Sequence, residues 1–397
     1  MKIKSIKNDL LEIFCHIICR PNKKNVFFTS LGGQYNDNPK YISEKLHEMY
    51  PDINVIWAIS NRSKQNDIPD YVKRVNFQSL KYYYYKNSSK VVVDNGAGFY
   101  LTETRNPVIF WLKKLLKNNQ QFNLSTWHGN PIKHIGAQIP GNESWSKKTI
   151  NTSSDILIAG CQKVKEIFES AFIGLMPVLL IGTPRTDILF NCNEDTKIRL
   201  KKKLGLPLDK NIILYAPTYR NTPEDSGVIQ MSMIDFGRLF KTLHDKFNGD
   251  WVFVFRVHNM VLEVINTSKE IENIDDNDRI INGNQFDDMN EYLAAADILL
   301  SDYSGCVYDV ALTDKPCFLF AHDRENYENR ERGLYLPLTS FPYDFYDSFE
   351  ALLNGVQNYQ PDSCKIRRKE FLTMIGNVED GNSAINVIKR IIEPKIL

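Results

Sequence analysis

From Asn25 onward the chain repeats one short unit: a few consecutive apolar residues, a polar or glycine-bearing turn, then an amphipathic stretch of helical length. The apolar runs are Asn25–Ser30, Ile53–Ile59, Lys90–Val93, Asn123–Trp127, Asp155–Ala159 and Val178–Ile181, with helices expected over Pro39–Tyr50 and Gln162–Ala171. A strand that is apolar along its whole length has no face to give to water. It has to be covered on both sides, which is the condition of a parallel sheet with crossover helices. The pattern starts again after a charged stretch at 185–203, with strands at Asn211–Tyr215, Trp251–Arg256, Ile280–Asn282, Ile298–Leu300 and Cys317–Ala321. The expected fold class is α/β: two Rossmann-like doubly wound domains facing each other across a cleft. The expected boundaries are 22–190 and 191–397, preceded by an amphipathic helix over 1–21.

Composition narrows the function. Across 397 residues, 49 Lys and Arg balance 48 Asp and Glu, a formal charge of +1. A protein that coats nucleic acid carries a large basic excess, so no nucleic-acid partner is expected. The seven cysteines are scattered, and Cys15 and Cys19 have no second pair to complete a zinc site. That usage fits a reducing, cytoplasmic setting. No secretory signal is visible, and no stretch approaches the ~20 apolar residues of a spanning helix. In the first twenty residues Ile3, Ile6, Leu10, Ile13, Phe14 and Ile17 recur at three- and four-residue steps, and Pro21 stops the helix. Lys2, Lys4, Lys7, Arg20, Lys23 and Lys24 add positive charge. Such a helix either docks on the neighbouring domain or lies on an anionic membrane surface, and charge alone does not decide.

In doubly wound sheets ligands gather beyond the carboxyl ends of the strands. Four polar clusters fall there. In Trp127-His128-Gly129-Asn130-Pro131-Ile132-Lys133, an imidazole sits at a strand end beside a glycine that permits close approach. His128 could take a proton from a hydroxyl, and Lys133 could offset phosphate charge. In Ala216-Pro217-Thr218-Tyr219-Arg220, Thr218 and Arg220 are candidate phosphate ligands. Strand alternation puts Arg256 and His258 on the same side of an extended segment, as a pyrophosphate would require. Ser301-Asp302-Tyr303-Ser304-Gly305 precedes a helix and reads as an anion site, with Asp309 one turn further on to accept from a sugar hydroxyl. Asp276-Asn277-Asp278 reads as a solvated turn. No clean metal-ligand set is visible, so no cofactor is assigned, although a divalent metal stays open. The phosphate-binding loop, nucleophile-elbow and zinc-protease patterns are missing from the sequence.

Taken in order, these clusters resemble the CDP-glycerol glycerophosphotransferase family of teichoic acid and capsule biosynthesis. The matching residues begin with Asn38-Pro39, Trp127-His128-Gly129-x-Pro131-x-Lys133, Gly182-x-Pro184-Arg185-x-Asp187 and Tyr215-Ala216-Pro217-Thr218-x-Arg220. They continue with Arg256-x-His258, Ser301-Asp302-Tyr303-Ser304 with Asp309, and Lys315-Pro316. Asp323, Tyr327, Arg332-Gly333 and Glu379-Asp380-Gly381 complete the set. Gly305, Asn130 and Asn259 stand where the family usually has Ser, Thr and Pro. The resemblance implies a GT-B-like fold with an acceptor-side front domain and a CDP-donor-binding rear domain. It implies transfer of glycerol phosphate from CDP-glycerol to a hydroxyl of a lipid-linked or polymer acceptor, with release of CMP. His128 would be the general base and His258 would contact the donor phosphates. Gly129, Lys133, Thr218, Arg220, Arg256, Ser301, Asp302, Tyr303, Ser304 and Asp309 would bind the donor. A CDP-ribitol transferase, a nucleotide-sugar transferase and a non-catalytic binding module are the alternatives. The protein would work in the cytoplasm, at the inner face of the cell membrane.

Overall fold

The computed structural model describes residues 2–61, 63, 68–96, 120–141, 154–218, 231–257, 278–324 and 333–397. Arg220, His258, Asn259, Tyr327 and Arg332 lie outside the described residues, as do Asp276 and Asn277. The chain divides into two compact units. The first comprises Met1–His128, Ile135–Asp187 and Asn377–Leu397; the second comprises Gly129–His134 and Ile188–Gly376.

The first unit is built on a seven-stranded sheet, entirely parallel, in the order β3-β2-β1-β4-β5-β6-β7. The strands are β1 (Asn22–Phe28), β2 (Asn54–Ile59), β3 (Lys73–Asn76), β4 (Ser89–Asp94), β5 (Phe122–Ser125), β6 (Ile156–Ala159) and β7 (Val178–Leu180). Strand side chains alternate between two cores, as the pleat requires. Val26, Phe28, Val55, Trp57, Val91 and Val93 meet Ile42 and Leu46 of α2 (Asp37–Met49) on one face. Phe27, Ile56, Ala58 and Val92 meet Tyr82 and Tyr83 of α3 (Leu80–Ser88) on the other. That second face is closed by Cys15 and Cys19 of the N-terminal segment, whose helix α1 spans Lys2–Ile18. The opposite face is closed from the far end of the chain. Val387, Ile388, Ile391, Ile392 and Ile396 pack beside Val26 and Trp57. The return is pinned where Asp187 accepts from the N–H groups of Ser383 (2.9 Å) and Ala384 (2.8 Å).

The second unit has a six-stranded parallel sheet in the order β10-β9-β8-β11-β12-β13. Its strands are β8 (Asn211–Ala216), β9 (Trp251–Phe255), β10 (Ile280–Asn282), β11 (Ile298–Ser301), β12 (Cys317–Phe320) and β13 (Phe345–Tyr346). Ile213, Tyr215, Phe253, Phe255, Ile298, Leu300, Phe318 and Phe320 pack with Leu239, Phe240 and Leu243 from the helix Phe236–Phe247. Leu352, Leu353 and Val356 from Phe349–Gln357 complete that core. Helix starts are set by side-chain caps. Asp235 accepts from the Arg238 N–H, Asp288 from Asn290 and Glu291, and Ser348 from Ala351. The strand order of the second sheet repeats that of the first six strands of the first sheet. The direction of winding reverses between β1 and β4 in one, and between β8 and β11 in the other. These reversals are where a crevice opens at the carboxyl edge of such sheets. The segment before Leu397 carries helices at Phe349–Gln357 and Pro361–Met374 that the strand–turn–helix pattern does not resolve.

Candidate active site

At the reversal in the first unit, β1 runs into Thr29-Ser30-Leu31 and β4 runs into Asp94-Asn95. Asn95 ties the two ends together. Its Oδ1 accepts from the Leu31 N–H at 2.9 Å, and its Nδ2 donates to Ser30 Oγ (2.9 Å) and Asp37 Oδ2 (2.7 Å). The Asn95 carbonyl also stands 2.8 Å from Nδ1 of His128, just past β5. A carbonyl only accepts, so Nδ1 carries the proton and Nε2 is the basic nitrogen of the neutral ring. Crowding by surrounding protein lowers the pKa of His128. The Asn95 carbonyl and the Asp37 carboxylate partly oppose that, and Arg185 reinforces it. The residue nevertheless keeps an exposed surface, so solvent reaches it. A neutral imidazole in contact with solvent is the form a general base needs.

The backbone at this turn is strained. Trp127 has φ 55° and Gly129 has φ 141°, so the imidazole is flanked by a left-handed tryptophan and a glycine-only conformation. The Trp127 and His128 rings stack at 4.4 Å, and Trp127 is held by Phe172 (5.1 Å) and Phe168 (5.7 Å). Two further residues brace the turn. Asn38 donates to the Thr126 (3.3 Å) and Trp127 (3.1 Å) carbonyls. Arg185 donates from Nη1 to the His128 carbonyl at 3.1 Å and lies 3.5 Å from Asp37 Oδ1. Arg185 escaped the sequence reading as a functional residue. It lies in the Pro184–Thr186 turn a few residues past β7, so the rule that singled out the other strand ends applies to it equally.

In the second unit the reversal joins Ala216-Pro217-Thr218 to Ser301-Asp302-Tyr303. Asp302 is the tie here. Its Oδ1 accepts from the Thr218 N–H (2.8 Å), the Thr218 hydroxyl (2.6 Å) and the Tyr303 N–H (2.5 Å). Ser301 is fully buried and its hydroxyl donates to the Ala216 carbonyl at 2.6 Å. Tyr303 is buried and donates to Asp323 at 3.2 Å. These three residues therefore shape the strand end from within, while Thr218 and Ser304 stay partly accessible. The helix that follows, Cys306–Val310, is short. A Cβ on Gly305 would sit 2.7 Å from the Asn130 carbonyl oxygen, so glycine is what lets the Gly129–His134 segment approach. That segment is held in the second unit by bonds from the His134 N–H to the Gly333 carbonyl (2.9 Å) and from the Tyr335 N–H to the Ile132 carbonyl (3.0 Å). Lys133 lies opposite Leu334 in this bridge and is partly exposed.

Besides Ser301, Asp302 and Tyr303, two more expected donor ligands are turned inward. Arg256 donates to the carbonyls of Gly283 (2.8 Å), Phe286 (2.6 Å) and Asp287 (2.7 Å), and its guanidinium lies over Tyr292. It anchors the turn after β10 instead of pointing its fork at a phosphate, because three backbone carbonyls lie within reach of the same donors. Asp309 is buried, with Asn290 Nδ2 at 3.5 Å from its carboxylate, because the short helix turns it inward. Among the described residues, no group of three or more His, Cys, Asp or Glu side chains could hold a metal ion. No described helix is long and apolar enough to cross a membrane.

Known proteins resemble this chain in sequence and fold along most of its length. Residues 12–393 match the family model described as CDP-Glycerol:Poly(glycerophosphate) glycerophosphotransferase. A teichoic acid poly(glycerol phosphate) polymerase of Staphylococcus epidermidis is 30% identical over 361 residues, covering 85% of this chain but 47% of that protein. The chain thus spans about half the length of that relative. A teichoic acid glycerol-phosphate transferase of Staphylococcus aureus is 26% identical over 411 residues, 98% of each chain. A variant of the wall teichoic acid polymerase TagF has a solved structure that aligns with a TM-score of 0.76 at 26% identity. The alignment covers 100% of this chain and 97% of that one. The likeness extends the two parallel-sheet architecture to a GT-B-like fold. With a family model matched along nearly its whole length, this chain belongs to the CDP-glycerol:poly(glycerophosphate) glycerophosphotransferase family.

Proposed function

We propose that the protein transfers glycerol phosphate from CDP-glycerol to a hydroxyl of a teichoic-acid-like or capsule acceptor. The observation that carries this reading is the strand-end imidazole whose Nδ1 is fixed by the Asn95 carbonyl. The acceptor hydroxyl gives its proton to Nε2 of His128 and its oxygen attacks the β-phosphorus of CDP-glycerol. The bond from that phosphorus to the bridging oxygen breaks, and CMP leaves with the electron pair. Catalysis rests on positioning and on stabilising charge at the equatorial phosphate oxygens. The donor phosphates meet Thr218, Ser304, Gly129, Lys133, Arg220 and His258. Ser301, Asp302 and Tyr303 hold the strand end that presents them. In this reading the acceptor-side domain is the first unit, including the returning Asn377–Leu397 segment in place of the expected 22–190, and the donor-binding domain is the second unit in place of 191–397.

The test offers CDP-glycerol, CDP-ribitol and nucleotide sugars separately with a lipid-linked glycerol phosphate acceptor. CMP release with CDP-glycerol is the expected result. CMP from CDP-ribitol alone would move the substrate, nucleoside diphosphate from a sugar donor would change the reaction class, and binding without product would make the protein a binding module.

The acceptor side of the reading includes an anionic membrane surface at the cytoplasmic face. Helix α1 buries Cys15, and Cys19 just after it is buried too, but Leu10, Phe14, Ile17 and Ile18 are left more than half exposed, and Lys7, Arg20, Lys23 and Lys24 are exposed nearby. An apolar stripe edged by cations suits an anionic interface. Glutamate at Leu10 and Phe14 is expected to lower binding to phosphatidylglycerol vesicles, and unchanged binding would remove the membrane from the reading.

A further inference from the structure

Glu379 belongs to none of the four clusters that the strand-end rule selects, yet it is among the most heavily bonded carboxylates in the first unit. Its two oxygens accept from the Thr183 N–H (3.0 Å to each), the Thr183 hydroxyl, the Thr186 hydroxyl (3.1 Å) and the Ser383 hydroxyl (3.0 Å). The socket is built for it. A Cβ on Gly160, just past β6, or on Gly182, just past β7, would run into the Glu379 carboxylate or the Ser383 hydroxyl beside it. Burial pushes the carboxyl up to about 7 against four sets of donors that favour its charged form. A carboxylate is a costly way to fill a buried space that a neutral or apolar side chain could occupy.

The socket has one functional outlet. The turn it clamps, Pro184–Thr186, carries Arg185. The Arg185 N–H donates to Asn38 Oδ1 at 3.0 Å, and Asn38 in turn holds the Thr126 and Trp127 carbonyls. Arg185 Nη1 holds the His128 carbonyl. Asp37, 3.5 Å from the same Nη1, receives Asn95, whose carbonyl fixes the His128 ring. Every link from Glu379 to the imidazole thus lies inside one compact unit.

We propose that Glu379 is a positioning residue for the transfer reaction, holding the Thr183–Thr186 turn so that Arg185 sets the backbone and ring of His128. The proposal rests on the reading of His128 as the base. Acting through another residue makes a specific prediction: the effect of Glu379 vanishes when the base is gone.

Steady-state kinetics on the full chain, with CDP-glycerol and a lipid-linked glycerol phosphate acceptor, test it. Glu379→Gln is expected to lower kcat about 10- to 100-fold, the scale of a small misplacement of a catalytic group. The KM for CDP-glycerol should change by less than about threefold, because the positioned group is not a donor ligand. Introduced into His128→Ala, the same substitution should lower the residual rate by less than about threefold. Should Glu379→Gln fail to fold, Arg185→Lys carries the test, since it keeps the charge and loses the fork, and the same pattern is expected. A folded Glu379→Gln protein with wild-type kcat would overturn the proposal. So would equal losses in both backgrounds, or an Arg185→Lys protein with unchanged kcat. Near-normal turnover by His128→Ala alone would instead defeat the base assignment.

Discussion

The two sheets share a strand order but finish their reversal points in different ways. In the first unit the tie is an amide: Asn95 donates two bonds, accepts one, and offers its carbonyl to His128. In the second the tie is a carboxylate: Asp302 accepts three bonds and donates none. The Asn95 side-chain amide ties Leu31, Ser30 and Asp37 without adding a charge, while the backbone carbonyl of the same residue meets the His128 ring. The carboxylate pulls the Thr218 backbone and hydroxyl inward, which sets the edge where a phosphate would lie. One scaffold thus finishes two equivalent strand ends differently by changing which side chain bridges them, and in the proposed reaction the first serves the base and the second the donor phosphates.

Exchanging the ties is the sharpest way to break this comparison. Asn95→Asp places a carboxylate 2.7 Å from where Asp37 now accepts a bond, at a buried position. A loss of about 3–4 kcal/mol in denaturant unfolding is expected, or a carboxyl that stays protonated near neutral pH. A neutral effect on both would mean that the amide is not the tie. The Glu379 socket gives the next largest effect. Its folded pKa of about 7 lies above the ordinary 4.5, so its contribution to stability is fully present below about pH 4.5. That contribution is lost as pH rises through about 7 and amounts to at most about 3 kcal/mol. Glu379→Gln should flatten the stability profile between those limits, and an unchanged slope would show that the carboxyl titrates normally. The reciprocal exchange, Asp302→Asn, leaves an NH2 facing donors in the second unit. It is expected to cost about 2 kcal/mol and weaken CDP-glycerol binding, which titration calorimetry would read. Unaltered donor affinity would detach Asp302 from the donor site.

Much of this was legible in the sequence because parallel strands announce themselves. Val26-Phe27-Phe28 and Val91-Val92-Val93 have no polar face, and the polar residues after them mark the carboxyl edge. That locates His128, Thr218 and the Ser301–Ser304 run. Side-chain direction was less legible. Strand alternation placed Arg256 on a phosphate-facing side, but it sits just beyond β9, where the carbonyls of Gly283, Phe286 and Asp287 capture its guanidinium. Those partners are about thirty residues away in the chain and no local pattern points to them. The return of Asn377–Leu397 to the first unit is equally hidden. Val387, Ile388 and Ile391 announce an amphipathic helix, but nothing local says which sheet it covers. Glu379 belongs to the same class, since its meaning comes from meeting Thr183 and Thr186 across almost two hundred residues.

The division of labour between the two sites is tested most directly by measuring donor binding and turnover on one variant. His128→Ala should bind CDP-glycerol as the unaltered protein does in calorimetry, while glycerol phosphate transfer to the lipid-linked acceptor, read as CMP release, falls by about 100-fold or more. Lost donor affinity, or CMP release at the normal rate, would contradict the account.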